Sequence, residues 1–265
     1  MSLTATDIHV KLGRKEILHG IDFAARAGEV TAIVGPNGSG KTTLLRAITG
    51  ELAYTGKVQI NGQDCASMKP HELAMTRAVL PQAANLAFPF TVLEVVRLGL
   101  TAGLASSRPD TSDTLPLQAL ARVGLTGFEG RYFHDLSGGE KQRVQLARVL
   151  VQIWEPVLDG QPRWLFLDEP VSALDIGHQL VVMQLAQDYA RAGGGVVAVM
   201  HDLNLTAMFA DQITLIDAGS VRAHGTPQQV LTNDTLSAAY HCKLQVNTPP
   251  PMGGAWILPQ AAHLN

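Results

Sequence analysis

Val30-Thr31-Ala32-Ile33-Val34, followed by Gly35-Pro36-Asn37-Gly38-Ser39-Gly40-Lys41-Thr42, is the stretch on which the fold turns. The first five residues form a short β-branched run bounded by glycine, the pattern of a buried strand. The next eight match G-x-x-x-x-G-K-[ST], and a helix is expected from about Lys41 to Thr49, closed by Gly50. Strand, glycine loop and helix in that order are what phosphate binding requires. Glycines let the backbone curl until successive N–H groups face an anion, and the helix N-terminus adds positive potential. In this reading Lys41 reaches the β- and γ-phosphates and the Thr42 hydroxyl ligates Mg²⁺. The plain alternative, a glycine-rich turn matching by accident in a chain with 25 glycines, has a probability on the order of 1%.

Outward from this stretch, short apolar runs alternate with helical ones, which predicts an α/β fold with a largely parallel sheet. Val58 to Ile60 reads as a strand entering a turn at Asn61-Gly62. Trp164 to Leu167 and Val196 to Met200 suit central parallel strands. Between them a helix is expected from Leu174 to Ala192, stopped by Gly193-Gly194-Gly195. Gln212 to Asp217 and Ser220 to Ala223 suit a hairpin turning at Ala218-Gly219. From Phe88 to Trp154 the strand pattern vanishes. Helices near Thr91 to Leu100, Thr114 to Val123 and Gly138 to Trp154 replace it, with a Ser/Pro/Asp-rich surface loop at Thr101 to Asp113. The chain thus reads as an α/β core interrupted by a helical lobe, with an irregular end around Pro249-Pro250-Pro251 before a last apolar run, Ala255 to Leu258.

The 265 residues carry a formal charge of −3, with no basic stripe, which argues against a nucleic-acid partner held through its phosphates. Cys65 and Cys242 fit no zinc or redox spacing and imply a reducing compartment. The opening MSLTATDIHVK has no apolar stretch of a secretory signal, and no run approaches the roughly 18–20 apolar residues of a membrane span. Only 16% of residues are charged, against about 25% in an average soluble domain. Mean hydropathy is positive, +0.11. Such a chain needs either a large core or an exterior face that meets another protein.

Further motifs carry chemistry. Leu165-Phe166-Leu167-Asp168-Glu169 is an apolar strand ending in two carboxylates. Asp168 is placed to hold a Mg²⁺ shell and Glu169 to polarise an attacking water as general base; alone, an acidic first turn of a helix explains the pair equally well. Leu136-Ser137-Gly138-Gly139-Glu140 has capping-box spacing. Two glycines after the cap cost helix stability, roughly 1 kcal/mol each, and bare N–H groups there suit an anion. Gln82, after the strand-like Ala78 to Leu80, suits Mg²⁺ or water, or is a solvated loop residue. His201 follows a strand end and faces the ligand crevice of an α/β fold, or is structural. Ser172-Ala173-Leu174-Asp175 precedes a helix and suits an N-terminal cap.

In this order the motifs resemble those of the ATP-binding subunit of an ABC transporter, over essentially the whole chain. GPNGSGKT resembles the Walker A loop, Gln82 the Q-loop, LSGGE the family signature, LFLDE the Walker B strand, SALD the D-loop and His201 the switch histidine. The resemblance implies a P-loop NTPase core of α/β class (residues 1–86 and 156–265), an inserted helical signature subdomain (87–155) and an N-terminal antiparallel β region, in one domain. It implies ATP and Mg²⁺ as cofactors. Nucleotide contacts are expected from Gly35, Pro36, Asn37, Gly38, Ser39, Gly40, Lys41, Thr42 and Thr43 of one subunit, and Ser137, Gly138, Gly139 and Asp175. Mg²⁺ contacts are expected from Thr42, Gln82 and Asp168, and catalytic roles for Glu169, His201 and Gln82. The implied partners are a second copy arranged head to tail, a transmembrane permease dimer and, indirectly, a substrate-binding protein; the implied location is peripheral, at the cytoplasmic face of the inner (plasma) membrane.

Ala87-Phe88-Pro89-Phe90-Thr91-Val92, His178-Gln179 and the extension Val151 to Arg163 are similar to importers of haem, ferric siderophores and vitamin B12, most closely to haem importer ATPases. The region after Gln82, with Phe88 and Phe90, is expected either to receive a permease helix or to pack within the lobe, and an exposed apolar patch is expected near Phe88 to Val96. Two positions depart from the family pattern. Leu12 stands where an aromatic residue usually stacks on adenine, a contact worth roughly 1–3 kcal/mol, and Val171 stands where Thr is frequent. A non-transport ABC ATPase acting on DNA or ribosomes is the alternative, although no heptads appear.

Overall fold

The computed structural model describes residues 1–82, 88–102, 114–249, 253 and 259. Most of the expected Thr101–Asp113 loop, Ala87 and the run Ala255 to Leu258 lie outside the described residues. The chain opens with two long antiparallel strands, β1 (Ser2–Leu12) and β2 (Lys15–Arg26), before β3 (Val30–Val34) and α1 (Lys41–Ile48). Next come β4 (Thr55–Ile60), β5 (Gln63–Asp64), α2 (Pro70–Thr76) and β6 (Arg77–Leu80). The helical lobe holds α3 (Val92–Ala102), α4 (Thr114–Arg122) and α5 (Gly138–Gln152). A small hairpin, β7 (Val157–Leu158) and β8 (Gln161–Pro162), precedes β9 (Trp164–Asp168), α6 (Ile176–Arg191) and β10 (Gly195–Val199). The chain then forms α7 (Leu203–Phe209), β11 (Gln212–Asp217), β12 (Ser220–Gly225), α8 (Pro227–Val230) and α9 (Asn233–Tyr240).

Two sheets carry the α/β part. One has the order β2-β1-β4-β5; the other runs β12-β11-β3-β10-β9-β6. In the second, β10 pairs in parallel with both β3 and β9, while β11 and β12 close it as an antiparallel hairpin. Every residue of β3, β9 and β10 is buried, because both faces of the sheet are covered. Successive side chains point to opposite faces. Leu165, Leu167, Val196 and Ala198 therefore join one core, shared with the helical lobe, and Trp164, Phe166, Val197 and Val199 join another, shared with α1 and the N-terminal sheet. Full burial of such a side chain contributes about 1.5–3 kcal/mol. Trp164 reconciles its size with its polar edge by donating Nε1–H to Asn61 Oδ1 at 3.1 Å, which ties the strand to the turn after β4.

The helical lobe has no core of its own. Val92, Val95 and Val96 of α3, Leu120 of α4 and Val144 and Ala147 of α5 belong to the cluster that continues onto the sheet. This corrects the expected patch at Phe88 to Val96: the three valines are buried at 0% exposure, and apolar exposure is confined to Phe88 (70%) and, farther along α3, Leu98 (39%). Valines spaced i, i+3 and i+4 face inward on a helix, whereas Phe88 precedes it. Helix limits also shift. The expected Leu174–Ala192 helix begins at Ile176 because Asp175 caps it, accepting from the His178 N–H. The expected Gly138–Trp154 helix ends at Gln152. The N-terminal strands are the resemblance's antiparallel region.

At Gly99 the backbones of α3 and α5 come close: a Cβ there would lie 2.1 Å from the Arg148 carbonyl oxygen. Alanine raises helix propensity by up to about 1 kcal/mol, but a backbone carbonyl inside a helix cannot step aside. Gly99→Ala is therefore expected to lower stability by about 1–3 kcal/mol in urea unfolding; an unchanged or raised midpoint would contradict this packing.

Candidate active site

The loop Gly35–Gly40 leaves β3 and wraps the start of α1. Gly35 (φ +148°) has no room for a side chain, since a Cβ would meet the Ile216 carbonyl oxygen at 2.0 Å. Gly40 caps α1 in a left-handed conformation, φ +106°. At Gly38 (φ +77°) a Cβ would meet nothing within 4 Å, and Asn37 beside it is exposed, so this part of the loop backbone is open to an incoming group. Lys41 Nζ donates to the Gly35 and Pro36 carbonyls, both at 2.9 Å. Burial pushes its ammonium below the usual lysine range, opposed by the charges of Glu169 and Asp168. The Ser39 hydroxyl is buried with no partner among the described residues. An orphaned hydroxyl and a buried cation bent back onto its own loop fit an anion that would engage both.

Thr42 donates its hydroxyl to Asp168 Oδ1 at 3.0 Å, joining the start of α1 to the end of β9. Burial pushes the Asp168 carboxyl up, and the Thr42 bond opposes that shift. Hydroxyl and carboxylate oxygens are the hard donors that Mg²⁺ takes beside substrate phosphates. No cluster of three or more His, Cys, Asp or Glu suited to a metal occurs among the described residues; a Mg²⁺ held through one carboxylate and phosphates does not need one.

Glu169 is the point of convergence. Gln82 Nε2 donates to its Oε2 at 2.9 Å, and His201 Nε2–H to its Oε1 at 2.6 Å. Its backbone is left-handed, φ +51°, although it is not glycine and precedes Pro170, which restricts it further. Such a conformation costs of order 1–3 kcal/mol and persists when its surroundings over-determine it. Here the Glu169 N–H donates to the Val199 carbonyl (3.2 Å), and the Glu169 carbonyl accepts from Ser172 Oγ (3.2 Å) and Gln142 Nε2 (2.9 Å). Gln142 is absent from the motif reading. Its place one turn after Gly138, on the same helix face, was the available signal.

Ser137, Gly138, Gly139 and Asp175 form a second depression with Arg143 and His178, lined by none of the Walker A residues. Ser137 and Glu140 make the reciprocal capping box, with Ser137 N–H to Glu140 Oε2 at 2.8 Å and Glu140 N–H to Ser137 Oγ at 3.3 Å. The structural reading of that spacing therefore holds. Gly139 also has an internal reason to lack a side chain: a Cβ would lie 3.0 Å from the Ala173 carbonyl oxygen. Gly138, whose Cβ would reach only Ala173 Cβ at 4.0 Å, is left with no packing requirement. Asp175 accepts from His178 N–H (2.9 Å) and from its ring Nδ1 (2.8 Å), which holds its carboxyl below the usual aspartate range. Thr43 is half-buried in α1, and Leu12, at the tip of β1, is 48% exposed.

Residues 18–172 match the family described as ABC transporter. The hemin import ATP-binding protein HmuV of Jannaschia sp. (strain CCS1) is 65% identical over 260 residues, covering 98% of this chain and 95% of that protein. The protein of the same name from Roseobacter denitrificans is 61% identical over 263 residues, covering 99% of both. Among solved structures, an inward-facing putative metal-chelate type ABC transporter superposes with a TM-score of 0.73 at 25% identity, over 91% of this chain and 89% of that one. A bacterial ABC transporter cassette solved as a dimer gives 0.74 at 27%, over 85% and 98%.

The orphaned Ser39 hydroxyl supplies a test. Removing an unpaired buried hydroxyl breaks no bond within the fold, so Ser39→Ala should leave stability within about 0.5 kcal/mol while weakening ATP binding about three- to tenfold, by calorimetry. A destabilised protein with unchanged affinity would show that the hydroxyl serves the fold.

Proposed function

Because the chain belongs to the ABC transporter family of ATP-binding subunits, we propose that it hydrolyses ATP to power import of haem through a membrane permease. Identity of 65% to a hemin import ATP-binding protein along nearly the full length of both chains carries the substrate reading. The convergence of Gln82, His201 and Glu169 carries the chemical one. No helix among the described residues is long and apolar enough to cross a membrane; in the proposed assembly the subunit meets its permease at the cytoplasmic face, through a surface that includes the exposed Phe88.

In the cycle, Lys41 leaves the Gly35 and Pro36 carbonyls for the β- and γ-phosphates of ATP, while the loop N–H groups hold the same oxygens. Thr42, Asp168 and the amide oxygen of Gln82 would hold Mg²⁺, which supplies charge neutralisation across the phosphates. Glu169 takes a proton from water as the water oxygen bonds to the γ-phosphorus and the bond to the β-bridging oxygen breaks. His201 orients the Glu169 carboxylate and contacts the γ-phosphate. Ser137, Gly138 and Gly139 lie in a depression apart from this loop, so they cap the ATP of a second, head-to-tail copy, whose Asp175 approaches in turn. Loss of the γ-phosphate removes that clamp and reopens the dimer, a shift driven by differential contact with the two states.

Glu169→Gln should keep ATP binding and lose turnover about 100-fold or more, since the amide cannot accept the proton; phosphate release assays check this, and wild-type turnover would remove Glu169 as base. The substrate is tested with the permease complex in proteoliposomes and a binding protein delivering haem, a ferric siderophore or cobalamin. Haem alone should stimulate hydrolysis. Stimulation by siderophore or cobalamin instead would favour the second reading, to which the likeness to a metal-chelate type transporter lends weight.

A further inference from the structure

We propose that Gln142 is a positioning residue for hydrolysis, holding the Glu169 backbone in the left-handed conformation that aims its carboxylate; this rests on the reading of Glu169 as general base. Gln142 Nε2 donates to the Glu169 carbonyl at 2.9 Å. The opposite amide orientation would set oxygen against oxygen, so the bond fixes which way the side chain points. Its Oε1 is buried without a partner among the described residues. The amide gives up a bond on one side to keep this one, which a residue serving only to fill space does not do.

The three elements that grip Glu169 differ in origin. The Val199 carbonyl belongs to β10 and Ser172 to the loop that follows Glu169 itself, whereas Gln142 alone of these comes from the helical lobe. It sits five residues beyond Ser137 on α5, and the first turn of that helix already presses against the same loop through Gly139 and Ala173. Without the Gln142 donor, the Glu169 carbonyl keeps only the bonds from its own loop. The peptide after Glu169 is then free to rotate towards ordinary backbone angles, and the carboxylate swings away from Gln82 and His201. Gln142 touches neither end of that carboxylate, so its effect falls on alignment in the transition state rather than on ATP binding.

The test compares Gln142→Met, which keeps length and removes the donor, with Gln142→Lys, which restores one, in the full-length subunit with MgATP. Gln142→Met should lower kcat about tenfold, equivalent to about 1.4 kcal/mol, with KM for ATP changed by less than about twofold. Gln142→Lys should regain at least about threefold of that loss. In a Glu169→Gln background, Gln142→Met should cause no further fall in the residual turnover, because the residue acts through Glu169. Thermal melting separates misfolding from misalignment: equal losses in Met and Lys variants that track a lowered midpoint would overturn the proposal, as would a raised KM at unchanged kcat. Wild-type turnover in Glu169→Gln alone would remove the base and Gln142's role with it. An inactive Glu169→Gln beside a fully active Gln142→Met would remove only the positioning role.

Discussion

Parallel pairing of β3, β10 and β9 in one register is the constraint from which the rest follows. Val199 lies beside Ile33 on one flank and beside Asp168 on the other. The three strands therefore end at one level, and the residues just beyond them, Gly35, Glu169 and His201, must emerge at the same edge. Parallel strands require crossover connections, so each returns through a helix or a longer excursion, and loops on the other edge stay out of the site. The position where open α/β sheets bind ligands is a consequence of this geometry.

At that edge, polar contacts replace packing. Lys41 is bonded to carbonyls of its own loop, Thr42 to Asp168, and Glu169 to Gln82 and His201. Each of these polar side chains meets another side chain or an atom of its own loop. Such bonds keep polar groups satisfied where apolar packing gives out, and in the proposed cycle they are the ones exchanged for phosphate. The strained backbone at Glu169 fits the same pattern: strain gathers where function needs a side chain aimed against its local preference.

The low charge content also acquires a location. Much of the apolar surplus is consumed by a sheet covered on both faces and by a lobe whose valines continue that core. What remains outside is scattered, from Leu12 and Leu98 to Leu117 and Ile176, and the most exposed ring is Phe88 at 70%, with Tyr132 at 49% in the strand-like contact with Thr91.

The sequence by itself determined the α/β class and the inserted lobe, and it singled out the residues of the candidate site, because a phosphate loop, an apolar strand ending in Asp-Glu and a glycine-doubled cap are each patterns of a few neighbouring residues. It also placed helix starts closely where a cap is local, as at Ser137. It could not show that Gly139 also has a packing role, since the Ala173 carbonyl that crowds its Cβ position is contributed by a distant segment. It spread the exposed patch over Phe88 to Val96, since which helix face is buried depends on α4 and α5. Only the tertiary structure decided that Gln142 meets the Glu169 carbonyl and that Glu169 is left-handed, because both arise from packing α5 against the loop after β9, a contact between residues 27 apart in sequence; helix spacing puts Gln142 on the face of Gly138 but does not name its partner.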